Sequence, residues 1–121
     1  MSRDYKLYLD DILECCQKIE VFTDQLSFEA FAADARTIDA VVRNIEIIGE
    51  AVKNVPAEWR EMKPEIEWKK IARLRDIIVH HYFKVDIEVV WAIVQERIEE
   101  LRKAVQSMLD DLEKSEPNEC P

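Results

Sequence analysis

A chain of 121 residues carrying a formal net charge of −9 is long enough for one domain, which would bury roughly two thirds of its unfolded surface. Its single glycine, four prolines and 36% charged residues suit long helices with solvated faces, leave little for hairpins, and predict an all-α fold. The acidity excludes a general nucleic-acid binder that works through a long-range positive field, and apolar runs of only a few residues exclude a membrane span.

The N-terminus lacks the basic start and apolar block of a signal peptide, so a cytoplasmic protein is expected. A first helix is predicted from about Asp4 to Phe22, because Tyr5, Leu9, Ile12, Cys16 and Ile19 recur at three- and four-residue steps. Cys16 reads as core filler. Cys15 and the tail residue Cys120 read as incidental, since no disulfide framework or paired zinc spacing is present. Asp24 and Gln25 form a connection, and Ser27 is placed to cap a short helix through Phe31.

A second long helix should run from Asp34 or Ala35 to Asn54, with Ile38, Val41, Ile45, Ile48 and Val52 on its inward stripe and Val42 and Ile47 widening it toward a second face. Gly49 stands in mid-helix, where glycine costs about 1 kcal/mol relative to alanine. Either its missing Cβ lets another backbone approach, as at a dimer axis, or it is a tolerated weak spot. Glu46 and Glu50 lie one turn apart, but the Glu-x-x-His spacing of a helix-bundle metal site is absent. Glu50 reads as a partner for Arg43, Lys53 or a residue across an interface, and no metal site is assigned.

Pro56 ends this helix and Pro64 interrupts the next stretch, so residues 55–66 should be irregular, with one turn around Trp59. Trp59 and Trp68 read as core or interface anchors ahead of stacking platforms for bases. A third helix is predicted from Glu67 to His80, and a final one from an Asp86 N-cap to about Glu113, with Val90, Ile93, Val94, Ile98, Leu101, Val105, Met108 and Leu112 inward. Residues 1–114 therefore make one helical domain, and residues 115–121, polar with two prolines, a disordered tail. The segment from Arg60 to Arg75 runs against the overall acidity, with six basic residues to three acidic ones.

That segment leads into Arg75-Asp76-Ile77-Ile78-Val79-His80-His81-Tyr82, which holds both histidines of the chain. On a helix Arg75 and Tyr82 share one face, while Asp76 and His80, four apart, share the next, so the carboxylate can hold the imidazole. Histidine exchanges protons near neutral pH and arginine offers a planar fork to phosphate oxygens. Together they supply the minimum for cutting RNA without a metal or cofactor. His80 takes the proton of a ribose 2′-hydroxyl, that oxygen attacks the adjacent phosphate, and Arg75 stabilises the developing charge. A two-fold dimer would add a second Arg75, His80 and Tyr82 to the same cleft, one histidine acting as base and its mate as acid.

The spacing Arg, four residues, His, one residue, Tyr resembles the signature of HepT proteins, small helical members of the HEPN ribonuclease superfamily. The resemblance extends to Tyr8-Leu9-Asp10-Asp11-Ile12-Leu13, to the stretch from Asp39 to Ala51 with its Ile48-Gly49-Glu50-Ala51, to Trp68–Tyr82, and to Val85-Asp86 and Trp91. It departs in Asp76, where asparagine is common. The resemblance implies an up-down bundle of four main helices with a short extra helix after the first. It also implies a metal-independent endoribonuclease toxin with Arg75 and His80 catalytic, Asp76 and Tyr82 supporting, and a composite site in a homodimer whose interface takes in Gly49 and Glu50. As partner it implies an MNT-type nucleotidyltransferase antitoxin that transfers AMP to Tyr82. The alternative is a helical binding module that scaffolds or regulates such a nucleotidyltransferase without catalysis of its own.

Overall fold

The computed structural model describes residues 2–78 and 84–114, residues 2–4 by their backbone alone. His80, His81, Tyr82, the end predicted for the third helix and the tail 115–121 with Cys120 lie outside the described residues. Within them the chain forms α1 (Ser2–Thr23), α2 (Phe28–Ala32), α3 (Ala35–Lys53), α4 (Ala57–Arg60), α5 (Trp68–Ala72), α6 (Leu74–Ile78), α7 (Ile87–Glu96) and α8 (Ile98–Lys114), with no strand. Among the described residues no helix is long and apolar enough to cross a membrane.

The architecture is an up-down bundle of four rods: α1, α3, the pair α5 and α6, and the pair α7 and α8. α1 packs on α3 and α8, α3 packs on α5 and α6, and α7 closes the ring against α6 and α8. The periodic stripes meet at the centre, where Leu9, Ile12, Cys16, Ile19, Val41, Ile45, Ile48, Val52, Val105 and Met108 are fully buried. Each such aliphatic side chain contributes about 1.5–3 kcal/mol.

Side chains placed by the sequence set the helix starts. Ser27 Oγ accepts from Ala30 N–H at 3.1 Å, Asp34 Oδ1 from Thr37 N–H at 3.2 Å, and Asp86 Oδ1 from Val89 N–H at 3.1 Å. Each satisfies an amide that has no partner in the helix. α1 ends where Gln25 adopts a left-handed φ of 62°, a turn that glycine usually makes. α2 fixes its position through Phe31, which is fully buried and packs on Trp91 with ring centroids 4.9 Å apart.

Several expectations are corrected. The third rod is broken at Arg73, in the sparsely populated bridge region with φ −110° and ψ 16°. The fourth is broken at Arg97, φ −116° and ψ −31°, whose guanidinium reaches Glu67 at 3.1 Å. A stripe of buried residues continues across both breaks, so periodicity alone does not register them. Cys15 is buried alongside Cys16, Leu109 is buried where Leu112 is half-buried, and Tyr5 is 40% exposed while packing edge-on to Trp59. Trp68 is a core anchor whose indole N–H donates to the Lys63 carbonyl at 3.0 Å.

Candidate active site

The break at Arg73 is what creates a site. Gly49 is buried on α3, and a Cβ there would lie 3.3 Å from the Ile71 carbonyl oxygen and 3.4 Å from that of Ala72. The last turn of α5 is therefore pressed onto α3 at its one residue without a side chain. The close backbone approach considered for a dimer axis is made inside a single chain, between Gly49 and α5. Beyond it the chain turns at Arg73, and α6 presents Arg75 and Asp76 at exposed positions, while Leu74 and Ile78 anchor it in the core.

An open groove of about 450 Å³ lies between these elements. One wall is formed by Arg43, Glu46, Ile47, Gly49, Glu50 and Lys53 of α3; the other is Ala72, Arg73, Arg75 and Asp76. Four cations face three carboxylates, on a protein whose formal net charge is −9. Two carboxylates are engaged: Glu46 Oε2 lies 3.3 Å from Arg75 Nε, and Glu50 Oε1 lies 3.7 Å from Lys53 Nζ. Arg43 and Arg73 make no ion pair among the described residues. The closest contact to Arg75 is through Nε, while its terminal amines also carry donors, and the side chain is 63% exposed.

The structure thus places Arg75, Asp76, Gly49 and Glu50 around one groove. The contacts expected of His80 and Tyr82, including the Asp76–His80 pair, fall outside the described residues. What the structure fixes is the frame on either side of them. Ile78 is fully buried, and its carbonyl accepts from Asp86 N–H at 2.8 Å, which pins the two flanking chain ends together at the start of α7. Glu46 as the partner of Arg75 was missed by sequence reasoning. Arg43, Glu46 and Glu50 do repeat along one polar face of α3, but nothing in that repeat names an arginine on another helix.

No other described group competes for the chemistry. Cys15 and Cys16 sit in the core of α1, where burial pushes the thiols up from 9.0 to about 11 and about 12, and that suppresses the reactive thiolate. Among the described residues no three histidine, cysteine or acidic side chains gather in a way that could hold a metal ion.

The family model described as "Ribonuclease HepT-like" matches residues 12–108. A Thermococcus cleftensis protein named "Probable ribonuclease HepT" is 47% identical over 102 residues, covering 84% of this chain and 93% of that protein. Two proteins carrying the name "Putative RNase" are similar: one from Methanocaldococcus jannaschii, 39% identical over 117 residues with 97% of each chain covered, and one from Caldanaerobacter subterraneus, 42% identical over 102 residues with 84% and 91% covered. No solved structure matches. With the family match spanning most of the bundle and both walls of the groove, the chain belongs to the HepT-like ribonuclease family.

Proposed function

We propose that this protein is a metal-independent endoribonuclease, the toxin of a HEPN and MNT toxin–antitoxin pair in the cytoplasm. The observation that carries the reading is the exposed Arg75 in a groove where cations outnumber carboxylates, on an otherwise acidic family member. Phosphate can enter there. His80 removes the ribose 2′ proton, the 2′ oxygen attacks the neighbouring phosphorus, and Arg75 takes up charge on the phosphoryl oxygens as the 5′ oxygen departs. The departing oxygen needs a proton. A two-fold dimer supplies it from the second His80, with Glu50 and the Gly49 segment of α3 at the interface. Asp76 orients His80, and Tyr82 lines the cleft.

Tyr82 is also the acceptor for AMP from the nucleotidyltransferase partner. The added phosphate puts negative charge where RNA must bind and switches the site off. One observation favours a second reading: Arg75 is paired with Glu46, as it would be in a binding module that regulates the nucleotidyltransferase without cutting RNA.

Incubating RNA with the purified protein in EDTA separates the two. Cleavage should persist in EDTA, fall by about 10²–10³ in Arg75→Ala, and fall by about 10²–10⁴ in His80→Ala. Cutting that is the same in both variants would mean a contaminant and end the proposal. Mass spectrometry after mixing with the partner and ATP should show one AMP increment, absent from Tyr82→Phe.

A further inference from the structure

A row of unneutralised cations leads up to the Arg75 groove. Among the described residues, Arg60, Lys63, Lys69, Lys70 and Arg73 have no carboxylate oxygen within 4.0 Å, whereas most described lysines and arginines elsewhere hold one. Lys69 and Lys70 are exposed on α5, and Arg73 follows Lys69 by one turn, so the two share a face. Arg60, Lys69 and Lys70 line a second open groove of about 540 Å³ beside Pro64, while Arg73 lines the first. Helix α5 contributes to both, with Lys69 and Lys70 lining the second groove and Ala72 the first.

Details of the second groove point to an anionic ligand. Arg60 is half-buried where it lines the groove and makes no ion pair among the described residues. Of the two carboxylates lining the groove, Glu67 is drawn to Arg97 at 3.1 Å, which leaves Glu61. Trp68 is buried and forms a wall, so no aromatic face is offered for base stacking. The chemistry is that of a backbone track: positive charge, open geometry and no reader of base identity.

We propose that Arg60, Lys69 and Lys70 form a second RNA subsite that holds the phosphodiester backbone of a single strand and feeds it through Arg73 into the Arg75 groove. The identity of the ligand rests on the ribonuclease reading, and the test separates the two. Binding of a longer single-stranded RNA is measured over a range of salt in the His80→Ala background, for the Lys69→Ala, Lys70→Ala pair and for a Lys18→Ala, Lys103→Ala control that loses the same charge on α1 and α8. In parallel, the His80-intact forms are given a dinucleotide too short to reach the second groove.

The lysine pair should weaken binding of the longer RNA by about tenfold and reduce the slope of log K against log salt by about 1.4, two contacts at about 0.7 each. Dinucleotide cleavage and the control should not change. Equal loss in the control, undiminished binding by the lysine pair, or no RNA binding by the parent overturns the subsite. If the lysine pair weakens binding while the His80-intact protein cuts nothing, the subsite stands and the ribonuclease reading falls.

Discussion

The 3.3 Å contact between Arg75 and Glu46 joins residues from different helices across the groove. At these exposures an ion pair contributes roughly 0.2–1 kcal/mol, so it does not hold the fold. Its consequence is electrostatic. Glu46→Gln should leave thermal stability within about 1 kcal/mol of wild type and tighten RNA binding roughly two- to fivefold, the effect of removing one screened charge a few ångströms from a phosphate. Weaker binding would mean that Glu46 chiefly orients Arg75. The buried cysteines give an independent check on the residue scale. Their raised pKa values mean that the unfolded chain loses its thiol protons first, so their contribution is complete below pH 9 and declines as pH rises toward 11–12. Native protein at pH 8 should resist alkylation at Cys15 and Cys16, and unfolded protein should react at both.

At the scale of the elements, much was legible in the chain. Ser27 and Asp86 were readable as caps because a short oxygen-bearing side chain before an apolar period has one common use, whereas Asp34 was read only as a possible first residue of α3. The breaks at Arg73 and Arg97 were not readable, because the stripe of buried residues runs on across both. Gly49 advertised a close approach, but a sequence cannot say whether the approaching backbone is the chain's own, and it is. Gly49→Ala isolates that packing. Helix propensity alone would raise stability by about 1 kcal/mol, but the new methyl group meets the Ile71 and Ala72 carbonyls at 3.3 and 3.4 Å, and overpacking of this kind costs about 1–3 kcal/mol. Thermal unfolding should therefore show a melting temperature that is unchanged or lower. RNA cleavage should fall further than stability does, because the displaced backbone carries Arg73 and α6.

Over the whole molecule, an acidic bundle lines two grooves on either side of α5 with cations that make no ion pair among the described residues. Arg43 and Arg73 lie in one and Arg60, Lys69 and Lys70 in the other, while Arg36, Lys84 and Lys114 line neither. Net charge, read from composition, argued against a nucleic-acid ligand because it averages over faces that the fold separates. The run from Arg60 to Arg75 hinted at the exception. Only the fold shows that Arg43, far from Arg75 along the chain, joins the same groove. The candidate site was thus half legible: its motif could be read from the sequence, while its α3 wall required tertiary structure. A dimeric composite site predicts that activity per chain falls on dilution as subunits part, with sedimentation reporting the same midpoint.

The central claim is that Arg75 and His80 direct a ribose 2′ oxygen onto the adjacent phosphate. It is tested most directly by mass analysis of the fragment ends made from a defined RNA in EDTA. Upstream fragments ending in a 2′,3′-cyclic phosphate, formed by the wild type and lost in Arg75→Ala, are the predicted result. Fragments with 3′-hydroxyl and 5′-phosphate ends, or the same cyclic ends in undiminished yield from Arg75→Ala, would contradict it.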